Sequence, residues 1–313
     1  MRVAVIGAGI AGLYTAWKLA QRGEQVTVFE KRGVVGKEAC SGLFSERILE
    51  YIPQSSSLVQ NRIDFCLLHF LKKTLKINFS KKFFVMSHYE LDNLVASLAE
   101  KSGVRIVKNA NLAQQDIVKL PDEYDRVIGT DGANSAVRKS LNLPEPYFRL
   151  GIQGFSPERN SDDFVDAWPT KYGFLWKIPR GDEIEWGIIE RPVLARSIFE
   201  EFLARRNIHL ESVKSTLVPQ SLVLPKNEKV TLCGDAAGMT KPWSGGGVAW
   251  NLTGARLLLK NFPDFVKYRN EAKRFFLPKI WLSKTALKSI YFFGYRVPYF
   301  IPQNWQIESD FLL

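Results

Sequence analysis

Three acidic residues in this sequence stand at the ends of apolar runs, where a carboxylate can meet a ligand. Glu30 follows "QVTVF", Asp131 follows "RVIGT" and Asp235 follows "VTLCG". The first belongs to a complete pattern, "RVAVIGAGIAGLYTAWKLAQRGEQVTVFE". It reads strand over residues 2–6, helix from Leu13 to Ala20, and a second strand from Val26 to Phe29. Between strand and helix lies Gly7-x-Gly9-x-x-Gly12. Gly7 suits a tight turn, Gly9 lets backbone approach a pyrophosphate, and Gly12 lets helix and strand pack closely. The helix N-terminus offers unpaired N–H groups and about half a positive charge to phosphates. Glu30, placed to accept the hydroxyls of an adenosine ribose, completes a dinucleotide site. This pattern alone does not separate NAD from FAD.

Two later segments favour a flavin. "DRVIGTDGANSAVRKSL" runs a strand into Asp131-Gly132. "KVTLCGDAAGMTKPWSGGGVAWNL" runs another into Gly234-Asp235, then through Gly245-Gly246-Gly247 to a helix from about Val248. An Asp at the carboxyl edge of a parallel strand sits where cofactors lie. Asp235 can hold a hydroxylated linker such as ribityl. The helix beyond Gly247 directs its positive end at a flavin ring and favours the anionic reduced form. The intervening helix in "MSHYELDNLVASLAEK" has Ser87 as its N-cap, with Glu90 three residues on.

A different chemistry is suggested by "KYGFLWKIPRG". Tyr172, Phe174, Trp176 and Ile178 fall on alternate positions and so on one face of a strand, with Lys177 on the other. The next run, "EIEWGIIE", adds Trp186 to the expected wall. Such a wall faces either an apolar ligand or the core.

These segments resemble the flavoproteins of the para-hydroxybenzoate hydroxylase fold, over roughly residues 1–260. Within that superfamily three stretches resemble the geranylgeranyl reductases. "FLWKIP" is similar to their Y-x-W-x-F-P motif, with Phe174, Trp176, Ile178 and Pro179 at its positions. "GDAAGMTKPWSGGGV" is similar to their form of the G-D region. "KEACSG" is similar to their K-x-C-x-G loop, which lies against the flavin.

The resemblance implies non-covalent FAD, with contacts from Gly7, Gly9, Ala11, Gly12, Glu30, Lys31, Ala39, Cys40, Gly42, Asp131, Asp235, Gly246, Gly247 and Val248. It adds His88, where the superfamily usually carries Arg, and Leu112, expected by backbone at the end of the strand after "GVRIV". It implies reduction of isoprenoid double bonds by reduced FAD, on membrane-lipid precursors in archaeal members. Tyr172, Phe174, Trp176 and Trp186 would then line the substrate. Burying an isoprene unit is worth roughly 3–4 kcal/mol. The reaction needs a hydride and a proton, and Cys40 is the candidate proton donor or redox partner, or a small filler in the flavin loop. A flavin-dependent monooxygenase or halogenase, and a non-catalytic flavin- or lipid-binding module, are the alternatives.

The expected fold is α/β, α+β overall. It has a Rossmann-like FAD domain (residues 1–57, 87–146 and 219–262), an inserted antiparallel-sheet substrate domain (58–86 and 147–218) and a helical C-terminal segment (263–313). Three scattered cysteines suit a reducing, cytoplasmic compartment rather than a disulfide framework. Cys66 and His69 have metal-like spacing but sit in "FCLLHFL", so no metal site is expected, and Cys233 reads as core. No signal peptide and no apolar run long enough to span a bilayer are expected. With no second dinucleotide fingerprint, the electron donor (NAD(P)H, ferredoxin or another) acts from outside.

The net charge of +11 favours anionic partners or a solvated lysine-rich surface. Nucleic acid is not expected, since charge alone speaks for it. From Lys267 to Arg296 there are eight basic residues and one acid, Glu271, and eight aromatics stand between Trp281 and Trp305. That composition suits peripheral contact with a membrane surface, or a segment packed over the substrate domain. Gly294, Pro298 and Pro302 are expected to break any long helix there.

Overall fold

The computed structural model describes residues 1–36, 39–296, 302–308 and 310. The β-branched runs that open the chain form the centre of a five-stranded parallel sheet. Its order is Val230–Leu232, Arg126–Gly129, Arg2–Ile6, Gln25–Phe29 and Arg105–Val107. Burial on both faces explains why these strands read as near-continuous apolar segments. The helices Ile10–Ala20, His88–Lys101 and Val248–Asn261 pack together beside it, and one large core joins them to the sheet. The carboxyl ends of Arg2–Ile6, Arg126–Gly129 and Val230–Leu232 deliver Gly7, Asp131 and Asp235 to one edge.

The second sheet has nine strands and carries the aromatic strand Phe174–Pro179 near its middle, between Phe164–Pro169 and Ile184–Glu190. Most pairings are antiparallel, as expected for this sheet. Two are parallel: Asn61–Phe70 with Phe164–Pro169, and Asn304–Ile307 with Lys73–Val85. The short strand Leu43–Ser45 also pairs with Lys73–Val85, so residues on both sides of the expected substrate domain contribute to its sheet.

The C-terminal segment is helical, as expected, but Gly294 does not break the helix. One helix runs from Phe265 to Arg296, passing through Pro278 and Gly294. Gly294 acts here as a packing residue. A Cβ there would stand 2.2 Å from the Phe70 ring, so glycine lets the helix press onto the sheet. The Tyr291 hydroxyl donates to Gly173 O at 2.6 Å and that of Tyr295 to Pro169 O at 2.8 Å, fixing the helix to the turn before the aromatic strand. Pro298, Tyr299 and Phe300 lie outside the described residues. Among the described residues no helix is long and apolar enough to cross a membrane.

Candidate functional site

A single cavity of about 1180 Å³ runs from the edge of the parallel sheet to the space between the second sheet and the C-terminal helix. At the sheet edge, Gly9 caps the helix Ile10–Ala20, and a Cβ placed on it would meet nothing within 4 Å. The backbone there faces open space, as a pyrophosphate requires. Gly7 is different: its φ is +104° and a Cβ would meet Thr130 O at 2.6 Å. At Gly12 a Cβ would lie 2.2 Å from Gly7 O, so the helix start and the first strand touch backbone to backbone. Gly12 is thus beneath the cradle and does not line the cavity.

Glu30 is buried and held by three donors. Ala8 N–H donates to its Oε2 at 2.9 Å, and Arg32 N–H and Nε–H donate to Oε1 at 3.0 and 3.1 Å. Of the roughly four lone-pair sites of a carboxylate, one, on Oε2, is left for a ribose hydroxyl. Lys31 and Leu112 line the same end. Leu112 lies in a loop, because the strand it was expected to close ends at Val107.

Asp131 accepts from Ser135 Oγ–H at 2.5 Å and from Ala136 and Val137 N–H at 2.6 and 3.1 Å, which makes it the anchor of the next helix start. Burial raises its pKa and those hydrogen bonds oppose the rise. Asp235 Oδ1 accepts from Asn251 Nδ2–H at 2.9 Å and lies close to Gly247, the residue that opens the helix Val248–Asn261. Asp131, Asp235, Gly246, Gly247, Val248 and Ala11 all line the cavity. Arg138, fully buried, binds the two aspartate loops together by donating to Ala133 O at 2.8 Å and Ala236 O at 3.0 Å. The open cradle at Gly9, the acids beside it and the free helix starts fit a dinucleotide flavin.

Beyond the cradle the lining turns apolar. Phe174, Trp176 and Ile178 form one wall, and Ala286, Leu287 and Ile290 of the C-terminal helix form another. Trp186 is not part of it. In the strand register Trp176 pairs with Gly187, whereas Trp186 pairs with Lys177. Cross-strand partners share a face, so Trp186 points to the opposite side. There it packs with Trp168 and Phe202 and donates its indole N–H to Ser156 Oγ at 3.1 Å. Gly187 supplies the space instead: a Cβ would stand 2.2 Å from the Trp176 ring. Tyr172 also leaves the wall, in the turn before the strand, with the Arg191 guanidinium over its ring at 3.4 Å.

Ala39 and Cys40 line the cavity where the cradle meets the apolar wall. Lys37 and Glu38 of the same loop lie outside the described residues. The loop is tied down twice: Gln153 Nε2–H donates to Cys40 O at 3.1 Å, and Arg180 donates to Ser41 O at 2.6 Å. Gly42, at φ +58°, turns the chain under Arg180 and Met86 O rather than facing the cavity.

His88 is buried at the helix start, its Nε2 3.4 Å from Asp92 Oδ1. Burial alone would lower its pKa. The charges of Asp92 and Cys40 and hydrogen bonds to them outweigh burial and raise it to about 10. Burial pushes the Cys66 and Cys233 thiols up to about 12, whereas Cys40 is only partly buried.

Several residues at or behind the cavity wall carry no signal readable in the sequence. Gln153, Arg180 and Glu185 are spread over two strands and a turn, and only strand register brings them to one loop. Lys241 follows the G-D region and lines the cavity, and its ammonium is 3.0 Å from buried Asp310.

Comparison with known proteins agrees with this geometry. Residues 2–116 match the family of FAD dependent oxidoreductases. A digeranylgeranylglycerophospholipid reductase of Methanocella arvoryzae is 24% identical, over 82% of this chain and 75% of that protein. A geranylgeranyl bacteriochlorophyll reductase-like protein from Thermoplasma acidophilum shares the fold with a TM-score of 0.78. It is 18% identical, with 92% of this chain and 87% of that one covered. The fold of the flavin-dependent halogenase CmlS is also similar, with a TM-score of 0.66, 15% identity, and 94% of this chain and 62% of that one covered. The chain thus carries an FAD dependent oxidoreductase domain over residues 2–116 and is similar to geranylgeranyl reductases along most of its length.

Proposed function

We propose that the protein reduces carbon–carbon double bonds of an isoprenoid lipid, using FAD. The observation that carries this reading is the continuity of the cavity. One end fits a dinucleotide, and the other is an apolar channel between Trp176 and the C-terminal helix. Gly7, Gly9 and Glu30 would hold the ADP half, Asp235 the ribityl chain, and the N-terminus of Val248–Asn261 would face the flavin ring. When bound, the reduced flavin supplies hydride. The chain itself orients the alkene against Phe174, Trp176 and Ile178, excludes water with the apolar wall, and offers a proton at Cys40 Sγ. The substrate class follows from the channel together with the names of the reductase relatives.

The exposed side of the C-terminal helix carries Leu277, Trp281, Leu282, Phe292 and Phe293 among Lys284, Lys288 and Arg296. That face is proposed to rest on an anionic membrane surface, which would place the channel beside its lipid substrate. Electrons would come from a separate donor.

The test is anaerobic single turnover. The FAD-loaded protein is reduced with dithionite and mixed with a geranylgeranyl lipid, and the flavin spectrum and product mass are followed. Reoxidation of the flavin with a gain of two hydrogens per double bond is expected. An unchanged lipid, with a hydroperoxyflavin on exposure to oxygen, would replace this reading with a monooxygenase or halogenase.

A further inference from the structure

We propose that His88, braced by Asp92, is the proton store that recharges the Cys40 thiol, so that a three-residue proton relay borders the cavity. The alkene-reductase reading enters only in naming where the proton is consumed.

The geometry has three parts. First, His88 and Asp92 sit one helical turn apart on the helix His88–Lys101, so their side chains share a face. That face is turned to the cavity, which both residues line together with Cys40. Second, His88 is 7% exposed and its Nδ1 is buried with no hydrogen-bond partner among the described residues. A buried ring nitrogen costs free energy unless it serves a neighbour. Third, the loop bearing Cys40 is held by Gln153 and Arg180 through the Cys40 and Ser41 carbonyls, and the Cys40 side chain is one of the two groups that act on the His88 imidazole.

Among the described residues the groups facing His88 are few. Asp92 faces it from its own helix, and the Cys40 thiol from the loop. The Phe44 ring packs edge-on at 5.5 Å. The Arg180 charge reaches the loop at Ser41 O. The two groups acting on the imidazole charge both favour the protonated ring, against the effect of burial. His88 therefore carries here a cation that can give up its proton. A guanidinium cannot do so near neutral pH, whereas an imidazolium can.

The step balances. An alkene takes up one hydride equivalent, drawn from the reduced flavin, and one proton. The Cys40 S–H bond breaks and the second C–H bond forms, leaving a thiolate with the electron pair. An imidazolium N–H bond of His88 then breaks and restores the S–H bond. The neutral imidazole regains a proton from water in the cavity. Asp92 acts as a positioning residue.

The test reads Cys40 directly. The FAD-loaded protein is treated with iodoacetamide from pH 5 to 9, and alkylation of the Cys40 peptide is timed by mass spectrometry, with the Cys66 and Cys233 peptides as slow internal controls. A cationic neighbour raises the thiolate fraction. Cys40 in the wild type should therefore react at pH 7 about tenfold faster, or more, than in His88→Gln, with Asp92→Asn between them. His88→Arg should keep the fast alkylation, because the charge is kept, yet slow alkene reduction over repeated turnovers with dithionite at least tenfold. Superimposable alkylation profiles in wild type and His88→Gln would overturn the coupling. Should His88→Gln fail to retain FAD, Asp92→Asn decides by the same readout. A full multiple-turnover reduction rate in His88→Arg would overturn the relay. A wild type that reduces no alkene while the alkylation difference persists would remove the function but leave the coupled pair.

Discussion

The indole N–H of Trp176 donates to Glu185 Oε1 at 2.9 Å, and the same carboxylate, fully buried, accepts from Arg180 Nε–H at 2.8 Å. Because Arg180 also holds Ser41 O, the substrate wall and the Cys40 loop are braced by one carboxylate. Burial raises the Glu185 pKa, and Arg180 opposes the rise. Removing the carboxylate by Glu185→Ala leaves a buried guanidinium uncompensated, which costs about 3–5 kcal/mol. Glu185→Gln keeps an acceptor for Trp176 and should cost less. Urea unfolding of the two variants checks the order.

Trp176 and Lys177 stand on opposite faces of one strand, with the Lys177 ammonium over the Trp186 ring at 5.8 Å. Trp176→Ala should weaken an isoprenoid ligand at least tenfold, since a buried tryptophan contributes about 150–250 Å² of contact. Lys177→Ala should leave the affinity within about twofold, as surface changes away from a site do. Titration of both variants with one lipid in detergent compares them, and equal losses would make the wall simple core.

Gly9 and Gly12 should fail differently. Gly12→Ala drives a Cβ into Gly7 O and should destabilise the fold, seen as a lower Tm without any ligand. Gly9→Ala places its methyl in open space, so the apo-protein should keep its Tm while FAD affinity falls. Thermal melts with and without FAD separate the two.

Asp235→Ala removes one charged hydrogen-bond acceptor of the proposed ribityl site. A loss of about 1.5–3 kcal/mol, or roughly ten- to hundredfold in FAD affinity, is expected. Flavin content after dialysis, with the circular dichroism spectrum unchanged, is the measurement.

The raised pKa of His88 makes a stability prediction. A cationic group stabilised in the fold contributes fully below its ordinary value near 6.5, and that contribution is lost as pH rises through about 10. The stability difference between wild type and His88→Gln should therefore be largest near pH 6 and shrink steadily to pH 10. A difference that grows with pH would show that His88 is held neutral.

Binding to vesicles should follow the exposed face of the C-terminal helix. Sedimentation with anionic vesicles at low salt, fading as salt screens the charges, is expected, with weaker binding after Trp281→Ala and Phe292→Ala. Trp281 is 70% exposed and Phe292 57%, so these changes should leave folding intact. No sedimentation at low salt would leave the helix as a channel wall only.

The cradle was legible in sequence because its signals are local. Gly7, Gly9, Gly12 and Glu30 lie within one strand–helix–strand unit, and the turn, the close approach and the acid each demand a residue type at a set spacing. Asp131 and Asp235 were legible for the same reason, as acids ending apolar strands. Period two likewise put Phe174, Trp176 and Ile178 on one face.

What tertiary structure alone decided is which faces meet. A shift of one residue in register turns every side chain over, and the pairing of Trp186 with Lys177 sent that tryptophan to the far core. Gly294 reads as a breaker when its neighbours in sequence are considered, yet it serves packing because Phe70, distant in the chain, lies against it. The bracing of Trp176 by Glu185, and of Ser41 by Arg180, depends on the same non-local contacts. Spacing along a chain encodes backbone geometry over a few residues, whereas the company a side chain keeps is set by how sheets and helices pack.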